Sequence, residues 1–350
     1  MYNGLMVYKF FTNSERAWRA MFEAIKDAEE SVYLEMYIFT NDMIQYDFLQ
    51  LLKRKAKKGL RVKIILDSLG SRELSDDAIA ELREAGVELI FLSHFFHRAH
   101  RKILVVDEKR AFVGGVNMSQ KFRFWNDLVA EVRGNKGLVR HLIRSFAKVY
   151  EEGGGKDKVV LAKNEPIVLD KTRTWLVEHF PIKKKFILKK IYKKHLRDAE
   201  REIILVTPYF IPKRWLSGAL HQAVLRGVRV DILVPRHTDI FFTERVNYFY
   251  MFKLSKLGVN FYLESHMNHA KTTIIDGKEG IVGSNNLDFL SFELNSEVGI
   301  FFKDASAVRR LSDIVKEWKR GAVLFDFRHH KPKVLDYILS PFISIFTKIF

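Results

Sequence analysis

His100-Arg101-Lys102-Ile103-Leu104-Val105-Val106-Asp107 and His269-Ala270-Lys271-Thr272-Thr273-Ile274-Ile275-Asp276 are two copies of one pattern, HxKxxxxD, set 169 residues apart in a chain of 350. A single copy carries little weight, because on the order of 0.1 arise by chance in a chain of this size. Two copies at a shared offset are specific. On an extended backbone residues i and i+2 face the same way, so each His stands beside its Lys while the residue between them points elsewhere. Asp107 and Asp276 lie an odd number of residues further on, past a buried apolar run. They enter the candidate catalytic set, although their placement favours a structural salt bridge or turn.

The motif pair belongs to a longer internal repeat. Asp27-Ala28-Glu29 leads into the apolar run Val32 to Phe39, and Asp198-Ala199-Glu200 leads into Ile203 to Phe210, an offset of 171. Gly59-Leu60-Arg61-Val62 recurs as Gly227-Val228-Arg229-Val230 at offset 168, and Gly86-Val87 recurs as Gly258-Val259 at offset 172. Each time a helical stretch ends in Gly and a short β-rich run follows. Such alternation predicts α/β units around a largely parallel or mixed sheet. The expected fold is two tandem α/β/α domains, 1–152 and 159–330, with Gly153-Gly154-Gly155 opening a linker at 153–158 and an amphipathic segment at 331–350.

Further residues cluster around the motifs. Gly114-Gly115-Val116-Asn117 and Gly283-Ser284-Asn285-Asn286 follow the two strands, with Asn117 and Asn286 again 169 apart. Small residues let backbone approach a ligand, and Ser284, Asn117 and Asn286 can hydrogen-bond phosphate oxygens. Asp127 and Glu297 stand 27 and 28 residues beyond the histidines of their own repeats. Each is expected to hold its imidazole by one ring nitrogen, as the third group of a catalytic triad does. Glu131 competes with Asp127 for that role. Glu35, inside an apolar run, needs a reason to be buried, and a substrate cleft between the domains would supply one.

Histidine with a reference pKa near 6.5 can act as nucleophile or as acid near neutral pH. If the domains meet about a pseudo-twofold axis, His100 and His269 can face one phosphodiester. One then attacks phosphorus while the other protonates the leaving alkoxide, and Lys102 and Lys271 stabilise the phosphoryl oxygens. No metal or other cofactor is expected, since zinc needs three or four ligands and a Lys beside each His suits an anion instead. The chain has no Cys, which removes disulfides, thiolate metal sites and Cys nucleophiles.

These residues resemble the phospholipase D superfamily, marked by HxKxxxxD followed by GSxN, and within it bacterial cardiolipin synthases. The likeness covers nearly the whole chain. It includes Leu34 to Phe39, Asp67 with Gly70-Ser71, Trp125-Asn126-Asp127, Thr207 to Pro212 with Tyr209 as a substrate-binding candidate, and Gly283 to Asp288 with Ser291, Asn295 and Glu297. The resemblance implies transfer of a phosphatidyl group through a phosphohistidine, from one phosphatidylglycerol to another, releasing glycerol. It also implies His100 as nucleophile and His269 as acid and base. Leu290 stands where many longer synthases have Arg, and their N-terminal membrane spans have no counterpart here.

Composition points to an anionic partner. There are 59 Lys and Arg against 42 Asp and Glu, a net charge of +17 and a pI near 9.7. No run of 18 apolar residues or secretory signal is present, so peripheral attachment at the cytoplasmic face of the cell membrane is expected. Residues 183–197 carry seven Lys and Arg197 with no acid. With Ile187, Leu188, Ile191 and Tyr192 at helical spacing, they predict a basic amphipathic membrane contact through Lys183, Lys184, Lys185, Lys189 and Lys190, suited to phosphatidylglycerol and cardiolipin. Phe342, Phe346 and Phe350 lie on a second stripe near the C-terminus. The aromatic run Phe241 to Phe252 suits either an acyl-chain entrance or core. Hydrolysis of phospholipid or nucleic acid by the same side chains is the alternative activity, although the apolar stripes argue against an obligatory nucleic-acid partner.

Overall fold

A computed structural model describes residues 7–92, 97–165, 173–183 and 186–332. The first repeat runs β1 (Val7–Asn13), α1 (Ser14–Lys26), β2 (Ser31–Met36), α2 (Phe48–Lys57), β3 (Arg61–Asp67), α3 (Asp76–Glu84) and β4 (Glu88–Leu92). It continues through β5 (Ile103–Val106), β6 (Arg110–Gly114), β7 (Asn126–Arg133), α4 (Lys136–Glu152) and a short α5 (Lys158–Leu161). The second comprises β8 (Thr174–His179), α6 (Ile187–Asp198), β9 (Glu202–Val206), β10 (Phe210–Ile211), α7 (Arg214–Leu225), β11 (Arg229–Pro235), α8 (Phe241–Ser255) and β12 (Asn260–Glu264). Then follow β13 (Thr272–Ile275), β14 (Glu279–Gly283), β15 (Leu287–Asp288), α9 (Phe289–Glu293), β16 (Glu297–Phe302), α10 (Ala305–Arg320) and β17 (Val323–Leu324).

The two main sheets share one strand order. The first is β1-β7-β6-β5-β2-β3-β4 and the second is β8-β16-β14-β13-β9-β11-β12, extended at its edge by β17. In both, three strands run parallel and the motif strand pairs antiparallel to the first of them, β5 against β2 and β13 against β9. The start of each motif strand therefore lies at the C-terminal edge of the parallel strands, where open α/β sheets bind ligands. The Gly residues that anchored the repeat end its helices, and Gly59 and Gly227 take φ of +88° and +85°, a left-handed cap that Gly adopts without strain.

Burial follows the period of two. Ile103 and Val105 face a core shared with α4, α10 and the second sheet, whereas Leu104 and Val106 face the separate core under α1 to α3. The shared core also holds Ile274, Val282, Val298 and Ile300 of the second sheet, so the halves are fused along one apolar layer. A third core lies under α6, α7 and α8.

The expected linker differs. Gly155 lies against the Tyr150 ring, where a Cβ would stand 2.3 Å from Cζ, and Asp157 pairs with Lys63 at 2.8 Å. The Asp157 N–H donates to the Tyr150 hydroxyl at 2.9 Å, which itself donates to Glu88 at 2.6 Å. Residues 153–165 are thus packed on the first domain, because the triglycine allows close approach rather than free rotation.

Candidate active site

Each His lies just before its motif strand, where the chain of one domain pairs with the other. Ala99 bridges Ser296, and Asn126 bridges Asn268, both in parallel fashion. The Ser296 N–H donates to the Arg98 carbonyl at 2.9 Å, and the His269 N–H donates to the Asn126 carbonyl at 2.7 Å. These bridges seat the residue before each His beside the residue before the opposite carboxylate.

The carboxylates consequently cross over. His100 Nδ1 lies 3.0 Å from both oxygens of Glu297, and His269 Nδ1 lies 2.8 Å from Asp127 Oδ2. A carboxylate accepts only, so each Nδ1 carries the proton and Nε2 is left with its lone pair. This corrects the expected pairing within one repeat, which sequence spacing suggested but the docking of the sheets overrides. Glu131 is occupied by Arg110 and Arg133 instead.

The two carboxylates are braced differently. Glu297 also accepts from the hydroxyls of Ser284 and Ser291. Ser284 thus braces a carboxylate and is not positioned as a free phosphate donor, a change from its expected substrate role. At the matching position of the first repeat, Gly115 leaves room for Asp127, whose Oδ1 lies 2.2 Å from where a Cβ would stand. Asn117 and Asn286 are nearly buried, and the Oδ1 of each has no hydrogen-bond partner.

Lys102 and Lys271 are buried beside the rings and donate to the carbonyls of His100 and His269. Burial lowers Lys102 to about 7 and Lys271 to about 8. It also lowers both imidazoles, His269 to about 4 with Lys271 adding to the effect, so both rings are neutral at pH 7. Burial acts to raise Asp127 and Glu297, but His269 and His100 respectively overcome it and leave both below the ordinary carboxylate range. The free site therefore holds two neutral rings, two anions and two lysines whose positive charge is only weakly held near neutral pH. A bound anion would favour the charged form of both lysines.

Aromatic rings wall the imidazoles. Tyr37 meets His100 edge-on at 4.7 Å, with Lys102 Nζ 4.9 Å from the Tyr37 ring centroid. Trp125 lies 5.5 Å and Tyr209 6.4 Å from His269, and the Tyr209 hydroxyl donates to Asp239 at 2.5 Å. Tyr37 and Trp125 stood inside matching sequence blocks, but nothing in their spacing assigned them this place. Other supports were not legible. Asp67 accepts from the N–H groups of Leu69, Gly70 and Ala99, and Glu264 holds the Asn268 side chain, whose Oδ1 accepts from Ala270 N–H beside His269.

Asp107 and Asp276, candidates for the catalytic set, take instead the turn role that their placement favoured, and Glu35 departs from its expected place in a substrate cleft. Asp107 takes φ of +50° and accepts from the N–H groups of Glu29, Glu30 and Ser31, and Asp276 at +53° does the same for Glu200, Arg201 and Glu202. Both close a turn at the far end of the motif strand and are not in the reacting cluster. Glu35 is 3.0 Å from Arg101 Nε, and Arg101 carries the parity of Ile103, facing the shared core. The Glu35 carboxylate therefore lies on the face of the motif strand opposite Lys102.

The basic helix also differs from expectation. Leu188, Tyr192 and Leu196 of α6 are buried in the third core, with Ile187 and Ile191 packed against it, because the second sheet needs a cover on that face. The apolar face is spent internally. Lys183 pairs with Glu152 and Lys189 with Glu293, while Lys190 stays exposed. Lys184, Lys185, Phe342, Phe346 and Phe350 lie outside the described residues. In α8, Phe249 and Met251 are core. Among the described residues no helix is long and apolar enough to cross a membrane, and no group of His, Asp and Glu has the arrangement to hold a metal ion.

Comparison with known proteins agrees with this geometry. The family model described as cardiolipin synthase, PLD-like domain, matches residues 21–150 and 192–318, one segment in each repeat. The cardiolipin synthase of Geobacillus kaustophilus is 31% identical over 350 residues, covering 93% of this chain and 66% of that protein. That of Geobacillus thermodenitrificans is 31% identical over 351 residues, covering 93% and 67%. The chain thus spans about two thirds of the length of these relatives. Among solved structures, phosphatidylserine synthase of Haemophilus influenzae shares the fold with a TM-score of 0.73 at 14% identity, covering 97% of this chain and 94% of that one. Polyphosphate kinase of Porphyromonas gingivalis does so with a TM-score of 0.65 at 14% identity, covering 98% and 53%. A family match in both repeats, on a duplicated sheet whose two HxK motifs share one site, means that the chain belongs to the cardiolipin synthase family with the phospholipase D-like domain.

Proposed function

We propose that the chain transfers a phosphatidyl group between two phosphatidylglycerol molecules at an anionic membrane, on its cytoplasmic face. The observation that carries this reading is the crossed pair of His–carboxylate contacts, which puts two imidazoles and two lysines in one site. His100, neutral and with Nε2 free, attacks phosphorus. The bond from phosphorus to the glycerol headgroup breaks, and the departing oxygen takes a proton from His269. The glycerol hydroxyl of a second phosphatidylglycerol then returns a proton to His269 and attacks phosphorus, and the P–N bond breaks to release a four-chain product.

His269 must be protonated for the first step, yet it is held near 4 in the free protein. The phosphodiester anion supplies the missing condition. Placed between Lys102 and Lys271 it offsets the charge that opposes protonation, so the acid is loaded by substrate. The lysines then meet charge developing on the phosphoryl oxygens in a site where burial strengthens the attraction.

The test is incubation with phosphatidylglycerol vesicles and mass analysis of the lipid and aqueous products. A four-chain lipid with one glycerol per transfer supports the reading. Phosphatidic acid with glycerol would replace transfer by hydrolysis, and turnover of nucleic acid alone would remove the lipid substrate.

A further inference from the structure

Ile44 and Phe124 are 87% and 82% exposed, the most exposed large apolar side chains among the described residues, and Ile240 is 41% exposed. All three sit on loops at the site's edge of the sheets, Ile44 after β2, Phe124 before β7 and Ile240 after β11. Contacts made by their sequence neighbours link the three loops to His269. The Arg123 guanidinium donates to Gln45 at 2.5 Å and lies 5.3 Å from the Phe124 ring centroid, tying the first two loops together. Trp125, next to Phe124, meets His269 at 5.5 Å. On the other side Tyr209 faces the same imidazole and donates to Asp239, which precedes Ile240.

Isolated exposed apolar residues are ordinary on a protein surface. Three on separate loops around one catalytic ring are different, because each costs hydration and none is needed by a core. Exposed Arg72 and Arg236 stand on loops at the same edge of the sheets, Arg72 after β3 and within electrostatic reach of Tyr37, Arg236 at the end of β11. Apolar tips among cations match a surface of acyl chains beneath anionic headgroups. The basic helix α6, whose apolar face is buried, lacks that combination.

We propose that the rim formed by Ile44, Phe124 and Ile240 seats in the surface of an anionic phospholipid monolayer, so that headgroups reach the His269 side of the cleft past Trp125 and Tyr209 without leaving the bilayer. The proposal rests on the phospholipid reading above for its substrate, and its test separates the two.

The chain has no Cys, so a single labelling site can be introduced cleanly. Ile44→Cys, Phe124→Cys and, as control, Leu225→Cys at the C-terminal end of α7 are labelled with an environment-sensitive fluorophore and titrated with vesicles of phosphatidylglycerol and phosphatidylcholine. A blue shift at positions 44 and 124 with none at 225 is expected. No shift at 44 and 124, or an equal shift at 225, overturns the rim. A shift that grows with protein concentration in the absence of vesicles assigns the rim to a second copy of the chain and also overturns it. The combined Ile44→Ser, Phe124→Ser and Ile240→Ser variant should lose at least ~10-fold in vesicle partition. Its turnover of monomeric short-chain phosphatidylglycerol should be unchanged. If labelled rim positions respond but glycerol is never released, the rim stands and the functional reading falls. If glycerol is released but the rim is silent, the reverse holds.

Discussion

His100 of the first repeat donates a hydrogen bond from Nδ1 to Glu297 of the second, 3.0 Å from each carboxylate oxygen, and His269 donates from its own Nδ1 to Asp127 of the first. Neither repeat therefore holds a complete His–carboxylate pair. The reciprocal exchange makes the interface part of the candidate site, and the two halves that supply it share one apolar core.

Breaking one crossed contact should be visible at one named ring. Glu297→Gln should move the Nδ1–H resonance of His100 in nitrogen-edited NMR and leave that of His269 largely in place, while Asp127→Asn should do the converse. Each should lower kcat on the order of 10²- to 10⁴-fold, the usual cost of removing a group that holds a catalytic imidazole. If Glu297→Gln perturbed His269 alone, the crossed arrangement would be wrong.

Alkaline pH should reduce activity earlier than an ordinary Lys pair would allow. Burial lowers Lys102 to about 7 and Lys271 to about 8, and the charged form is the one that binds phosphate. As pH rises through these values the cations are lost, so kcat/KM should fall with midpoints in that range. Lys102→Arg retains its charge at every accessible pH and should shift or flatten the first limb, even if the altered geometry slows the reaction. A pH–rate profile unchanged between wild type and this variant would count against the assignment.

Asp107 should matter to stability more than to chemistry. Its carboxylate satisfies three N–H groups at a turn, and Asp107→Ala should cost ~2–3 kcal/mol in denaturant unfolding. Asp107→Asn tolerates positive φ and keeps an acceptor, so its loss should be smaller. In both variants kcat per folded molecule should stay within a few-fold of wild type. A collapse of kcat with unchanged stability would return Asp107 to the catalytic set.

Gly115 and Ser284 occupy matching places with opposite duties. A Cβ at Gly115 would meet Asp127 Oδ1 at 2.2 Å, so Gly115→Ala should displace that carboxylate and reproduce much of the Asp127→Asn defect. Ser284→Ala removes only one of the donors bracing Glu297 and should cost kcat less. Rates for the two variants measured side by side check this, and equal losses would reject the asymmetry.

Much of the fold was legible because its signals are local. Val32 to Phe39, Ile103 to Val106 and their partners in the second half announce buried strands, and Gly59, Gly86, Gly227 and Gly258 end helices whatever surrounds them. HxKxxxxD at a repeat offset likewise identified both His–Lys faces, since two residues apart on extended chain is a property of the backbone alone. What sequence could not decide was partnership. Whether Asp127 meets the histidine of its own repeat or of the other depends on how two sheets dock, through bridges between residues far apart in the chain. The same holds for α6, because an apolar stripe states only that a face will be covered. Core and membrane satisfy that demand equally, and only the packed sheet showed which one does.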